Sequence, residues 1–330
     1  MLVYAHRRTG MLRHLEGVLW TALVLGRERP DVIFVQNSFL LLFACAIYRR
    51  LRRESRTRIV VDCHNKSLKR DLAGPLGYVF RVIKRWSFAR VDMVVISNSL
   101  LMPFAKRLCP RVAVLRDPLP ETVLSGSSIK DGPLPLPGLQ HPFALFVCSF
   151  EPDEPAALIF KTAAALAGRG ITAVITGDSH LDASAEVVRG IPHVLLPGYL
   201  PAESYNALVQ CADVIVVLTD DLDCLVCGAY EAIAAERPLV LSDTPLLRSV
   251  FGQCAAYAPH ESAPLQRIIA ARIGVLDPDF EHGKNLFQAS FRAEWLTFRH
   301  ALDEMLCDAV PSADRTSSMC VSPKAVPDQR

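Results

Sequence analysis

Residues 223–243, DCLVCGAYEAIAAERPLVLSD, place two carboxylates, Asp223 and Glu231, eight positions apart around a run of small residues. The pattern reads as a turn, a short helix and a buried strand, with the helix beginning near Gly228. A helix start presents unpaired N–H groups and the positive end of the peptide dipole, which suits a phosphate. Gly228, Ala229 and Tyr230 form that start, and the small side chains of Gly228 and Ala229 let a ligand approach the backbone. Glu231, one turn inside, could accept hydrogen bonds from the vicinal hydroxyls of a sugar, while Asp223 on the loop could hold a second polyol. Two carboxylates flanking a diphosphate cradle describe a nucleotide-sugar site.

Other chemistries compete for the same stretch. An acid on a loop and an acid on a helix surface is the bland alternative for Asp223 and Glu231. Asp221-Leu222-Asp223 matches a DxD pattern whose hard oxygen ligands would suit Mg²⁺, but three-residue matches are cheap. Cys224 and Cys227 form one CxxC with no further ligands at zinc-site spacing, so paired loop thiols without metal are the simpler reading. No metal is assigned. Gly177 and Asp178 close a strand, where they would either border a nucleotide base or form a plain turn. His180 and His193 lack such a context and read as structural. Neither a GxxxxGK loop nor a GxGxxG after a strand occurs, which removes P-loop hydrolysis and the common dinucleotide turn from consideration. Nucleic-acid modules are also absent.

The elements that must position these residues alternate regularly. β-Branched runs at 31–36 (DVIFVQ), 58–63 (RIVVDC), 92–97 (DMVVIS) and 111–116 (RVAVLR) are separated by helix-length segments. Residues 119–142 are rich in Pro, Gly and Ser and read as a linker. After it the alternation resumes with FALFVCSF, ITAVITGD, HVLLPGYL, DVIVVLTD and PLVLSD. Near-continuous apolar strands between helices imply α/β domains with parallel sheets covered on both faces. The expected organisation is a Rossmann-like domain over 1–118, a linker over 119–142, a ligand-binding domain over 143–275, helices over 276–307 and a disordered tail over 308–330. Two such doubly wound domains would face a cleft, with ligands beyond the carboxyl ends of the strands.

Composition agrees with a globular chain: of 330 residues, 51% are apolar and 21% charged. Ten cysteines without an even framework, and no secretory leader at the start, point to reduced thiols in the cytoplasm. The apolar run FLLLFACAIY at 39–48 is half the roughly twenty residues a bilayer requires, and reads as a core helix. Charge is asymmetric. Residues 1–120 hold 22 Lys or Arg against 8 Asp or Glu, whereas residues 121–330 hold 14 against 26. Six arginines within 49–58 (RRLRRESRTR) compose either a solvated helix end or a surface that meets anionic lipid or a polyanion, and the bias of the whole half favours an anionic partner.

The ordered context of the acidic pair supports a resemblance. Residues 143–260, including VLLPGYLPAESYNALVQCADVIVVLTD and then Asp223-x7-Glu231, resemble the donor domain of GT-B glycosyltransferases, especially the large retaining family with the acidic-x7-Glu motif. The resemblance implies the GT-B fold and transfer of a sugar from a nucleoside diphosphate sugar, with Glu231 on the donor ribose and Asp223 at the donor sugar. The strand ends DVIFVQN and VVDCHN are similar to those of the acceptor domain, which makes His64 the residue beside the transferred sugar and the acceptor. Asp223 and His64 are thus the catalytic candidates. VQN and DCHN also resemble mannosyltransferases that build lipid-linked oligosaccharides, which implies a prenyl-diphosphate-linked or cell-surface polysaccharide acceptor and peripheral attachment at the inner face of the membrane. No cofactor beyond the donor substrate is implied.

Two departures from the family stand out. Where its members carry Arg and Lys after the first donor-domain strand, this chain has CSFEPDEP with Asp153 and Glu154, leaving Ser149, the N–H groups near Gly228 and Arg116 to hold a diphosphate. The strand, glycine-rich turn and helix that open a complete acceptor domain have no counterpart before DVIFVQN, so that domain is expected to be incomplete. A sugar-nucleotide 2-epimerase and a non-catalytic GT-B scaffold remain as alternatives.

Overall fold

The computed structural model describes residues 11–36, 38–52, 57–63, 74–121, 134–178 and 182–307. The chain divides into two units, Met1–Leu115 with Ala293–Arg330, and Arg116–Arg292. Part of the expected linker, 122–133, and the expected tail, 308–330, lie outside the described residues, as do His64 and His180.

The first unit runs α1 (Met11–Glu28), β1 (Val32–Gln36), α2 (Phe39–Leu51), β2 (Arg58–Cys63), α3 (Gly74–Phe88), β3 (Met93–Ile96), α4 (Met102–Lys106) and β4 (Val112–Val114). Its strands pair in parallel in the order β1-β2-β3-β4. Right-handed crossovers in a monotonic order put the connecting helices on one face, and Leu42 and Cys45 of α2, Phe88 of α3 and Ala105 of α4 accordingly pack on Ile33, Ile59, Val61 and Val94. Val60, Met93, Val95 and Ala113 point to the opposite face, which Phe298 and Met305 of the last helix cover. The sheet is pinned at one end by Asp92, whose carboxylate takes Arg49 at 2.5 Å, Arg58 at 2.9 Å and the Ile59 N–H at 2.9 Å.

The second unit has β5 (Phe143–Phe146), α5 (Ala156–Ala167), β6 (Thr172–Thr176), β7 (Val194–Gly198), α6 (Ala202–Cys211), β8 (Val214–Val217), α7 (Cys227–Ala234), β9 (Leu239–Ser242), α8 (Pro245–Phe251), β10 (Ala256–Ala258), α9 (Ser262–Arg272) and the start of α10 (Phe280–Cys307). The parallel order is β10-β9-β8-β5-β6-β7. Alternate residues of one strand serve opposite faces: Phe143 and Leu145 meet α6, α7 and α8, while Ala144 and Phe146 meet α5 and α9. Burial on both faces explains why these strands read as unbroken apolar runs. The chain leaves β5 toward β6 and β7, then returns to build β8, β9 and β10 on the other side. The carboxyl ends of β5 and β8 are therefore the switch point, where open α/β sheets bind ligands.

Residues 276–307, expected as several helices, form one, α10, whose first part lies in the second unit and whose remainder lies in the first. The apolar run at 39–48 is a core helix as read, with Leu42, Ala44, Cys45, Ala46 and Tyr48 buried. No described helix is long and apolar enough to cross a membrane.

Candidate functional site

Helix α7 starts at the switch point because Gly228 lets it come close. A Cβ at Gly228 would lie 3.0 Å from Val147 Cγ1 and 3.0 Å from Val217 Cγ2, the side chains at the ends of β5 and β8. Gly228 therefore seats the helix on the sheet, and the side of it expected to face a ligand is filled by two valines. Val226, the N-cap, is extended and offers no side-chain cap. The Ala229 N–H bonds the Val226 carbonyl at 3.1 Å.

The helical period then divides the following residues. Ala229 and Tyr230, expected at the donor, send their side chains into the core. The Tyr230 ring meets Phe251 and Phe287 edge-on, with centroids 5.3 and 5.6 Å away. Neither side chain is available to a ligand, and the Ala229 N–H is already taken by Val226. Glu231 points the other way, is half-buried, and accepts the Tyr205 hydroxyl of α6 at 2.5 Å. Burial, then the Glu231 charge, pushes the Tyr205 phenol well above its ordinary value. Tyr205 thus remains a donor at any physiological pH and fixes the orientation of the carboxylate. Sequence reasoning missed Tyr205; its only signal is a Tyr in the middle of the helix preceding β8.

Asp223 sits on a loop organised by its own acids. The Asp221 carboxylate accepts the Asp223 N–H at 3.0 Å, the Asx turn that accounts for the DxD spacing. The loop is tied down further by the Asp220 N–H bonding the Asp153 carbonyl at 2.6 Å. A relay of side chains joins three strand ends above it. The Thr219 N–H donates to Ser242 Oγ at 2.8 Å, Ser242 Oγ meets His260 Nε2 at 2.8 Å, and His260 Nδ1 meets Asp220 at 2.8 Å. Ser242 is 1% exposed. It serves as a buried strut between β8 and β9, and not as a nucleophile.

The loop after β5 folds around an acid. Glu154 accepts the Ser149 N–H at 2.9 Å, the Ser149 hydroxyl at 3.2 Å, the Glu151 N–H at 2.9 Å and the Cys148 thiol at 3.4 Å. Ser149, expected to bind the donor, thus spends both of its donors on Glu154 inside the loop. Burial first, and the Glu154 charge next, push the Cys148 thiol up to about 12. Gly177 supports this loop from below: its φ is +90° and a Cβ would fall 2.3 Å from the Cys148 carbonyl oxygen. Close packing of two strand ends is sufficient reason for a glycine there. Arg116 lies over the Phe287 ring with 5.6 Å to the centroid. His193, at φ +66°, ends the turn into β7. Among the described residues no group of three His, Cys, Asp or Glu could hold a metal ion.

Residues 2–108 match the family model described as a glycosyl transferase 4-like domain. No curated protein matches the chain. Among solved structures, HepE from Anabaena in complex with UDP and glucose is similar with a TM-score of 0.69 at 14% identity, covering 92% of this chain and 85% of that one. Sucrose-phosphate synthase from Thermosynechococcus elongatus gives 0.66 at 16% identity, with 93% and 81% covered. A UDP-forming trehalose-phosphate synthase from Burkholderia vietnamiensis gives 0.62 at 13% identity, with 92% and 80% covered. The first unit thus contains a stretch matching the glycosyl transferase 4-like model, and the chain has the fold of the GT-B glycosyltransferases.

Proposed function

We propose that this protein transfers a sugar from a nucleoside diphosphate sugar to an acceptor hydroxyl. One observation carries the reading: at the switch point of the second unit, a helix start with no side-chain cap is followed, one turn on, by a carboxylate whose orientation Tyr205 fixes. The uncapped amide end is suited to a diphosphate, which gains charge as its bond to the sugar breaks. One oxygen of Glu231 takes the Tyr205 hydroxyl, and the other is the acceptor for the ribose hydroxyls. Asp223, held on the loop that precedes α7, is assigned to the transferred sugar. Positioning and preorganised charge would supply the rate enhancement, without a metal.

HepE was determined with UDP and with UDP-glucose, which makes a uridine diphosphate sugar the first donor to try. The acceptor we assign is a lipid-linked or cell-surface polysaccharide precursor, met at the cytoplasmic face of a membrane. Calorimetric titration with a panel of nucleoside diphosphates tests the donor site. The expected result is one base bound by the wild type and lost in Glu231→Ala, followed by hydrolysis or transfer of the matching sugar nucleotide. Absence of binding to every nucleotide would reject the reading and leave a non-catalytic scaffold.

A further inference from the structure

An exposed aromatic stands on the carboxyl edge of the second unit's sheet, to one side of the switch point. Tyr199 directly follows β7 and is 71% exposed, while Leu200 and Tyr205, which come after it, pack on the core. The chain turns at Gly198, whose φ of +74° is the left-handed conformation glycine favours and where a Cβ would meet nothing within 4 Å. Single exposed apolar side chains are ordinary on a protein surface. What distinguishes Tyr199 is its place in the fold.

Two sets of contacts link that place to the start of α7. Along the sheet, Gly228 lies against Val147, just past the end of β5. The next residues, Cys148 and Ser149, lie against Gly177 at the end of β6, and the Gly177 N–H donates to the Gly198 carbonyl at 3.3 Å. Neighbouring strands are about 4.8 Å apart, so β7 stands about 10 Å from β5 across β6. The second link runs through α6. Its first turn is closed by the Tyr205 N–H on the Pro201 carbonyl at 3.0 Å, and the same Tyr205 holds Glu231 through its hydroxyl. A ribose on Glu231 is therefore one helical turn from the loop between β7 and α6. A nucleotide carries its base and its phosphates on opposite ends of the ribose, so a diphosphate at α7 sends the base toward β7.

We propose that the Tyr199 ring stacks on the nucleobase of the bound donor. The inference rests on the nucleotide-sugar reading of Glu231 and adds to it the residue that holds the base. A tyrosine offers a large flat surface and has little side-chain freedom to lose on binding. Every base has a π-face, so stacking strengthens binding without choosing among bases.

Calorimetric titration of the full chain with uridine, guanosine and adenosine diphosphates, repeated on variants, is the test. Tyr199→Ala should weaken whichever of them the wild type binds by about 5- to 150-fold, the worth of one stacked base, and leave their ranking unchanged. Its melting temperature should equal that of the wild type, because the side chain faces solvent. Tyr199→Phe keeps the ring and should bind as the wild type does, which a contact made by the hydroxyl would not allow. Tyr199→Trp should bind at least as tightly, with its added fluorescence quenched by nucleotide, and carries the test if the alanine variant fails to fold. Undiminished binding by Tyr199→Ala, equal weakening by Tyr199→Phe, or an added indole signal that nucleotide leaves unchanged would overturn the proposal. Binding that Glu231→Ala abolishes and Tyr199→Ala leaves intact rejects the stacking alone. No binding of any nucleotide by the wild type rejects the donor site and the stacking together.

Discussion

Gly228→Ala probes the seating of α7 on the sheet. The added methyl would lie 3.0 Å from a methyl of Val147 and 3.0 Å from a methyl of Val217, whereas unstrained carbon contacts lie at about 3.5–4.0 Å. Relief requires both valines, or the helix start, to move by roughly half an ångström or more, and overpacking of this kind costs about 1–3 kcal/mol. Replacing Gly by Ala in a helix interior returns up to about 1 kcal/mol, and less in the first turn. The net expectation is a loss of about 1–2 kcal/mol, or about 2–8 °C in the melting temperature for a unit of this size. Differential scanning calorimetry reads the shift, and Val217→Ala in the same chain should recover part of it, because truncating one clashing partner couples the two changes. The donor-binding account adds that the displaced helix start should weaken nucleotide binding alongside stability. A Gly228→Ala protein that melts at or above the wild-type temperature, with no coupling to Val217, would refute the packing argument.

Further expectations follow from the same geometry. Tyr205→Phe removes a donor from a half-buried carboxylate and should cost about 1.5–3 kcal/mol, measurable by urea denaturation. The Tyr205 phenol is held above its unfolded value, so its contribution is complete below about pH 10 and is lost as pH rises further. The wild type should accordingly lose stability above that pH more steeply than Tyr205→Phe. Cys148, with its thiol raised to about 12, should resist iodoacetamide at mildly alkaline pH. Glu154→Gln removes a charge that contributes to that rise and should speed alkylation, as followed by mass spectrometry; identical rates would mean that the carboxylate does not govern the thiol. Asp92→Ala leaves Arg49 and Arg58 without their shared carboxylate and should cost the first unit about 3 kcal/mol. A denaturation midpoint equal to wild type would show that the cluster is solvated.

The strands were legible because parallel sheets covered on both faces require unbroken apolar runs, as in Phe143–Phe146 and Val214–Val217, both buried throughout. The acidic pair was legible as a spacing, since a turn, a helix and a strand in succession fix where Asp223 and Glu231 fall. What surrounds the pair was not. Tyr205 reaches Glu231 from 26 positions away across β8, a contact no local pattern reports. Glu154 reads in sequence as an acid in place of a basic clamp, and only the folded loop reveals it as the acceptor of Ser149 and Glu151. The sequence places Gly228, Ala229 and Tyr230 at the donor because small residues at a helix start let a ligand approach the backbone. Which face of a two-turn helix meets the sheet depends on Val147, Val217, Phe251 and Phe287, all supplied by other elements. The run at 39–48 was read as core from its composition, and α2 is indeed buried along Leu42, Cys45 and Tyr48, but Leu40, Ile47 and Leu51 on its remaining faces are exposed.

The most direct measurement is a crystal structure of the protein soaked with the nucleoside diphosphate that binds best in titration. We predict the ribose hydroxyls within hydrogen-bond distance of the Glu231 carboxylate, with Tyr205 still on its other oxygen and the diphosphate against the first turn of α7. A nucleotide bound away from the carboxyl ends of β5 and β8, with Glu231 untouched, would contradict the account.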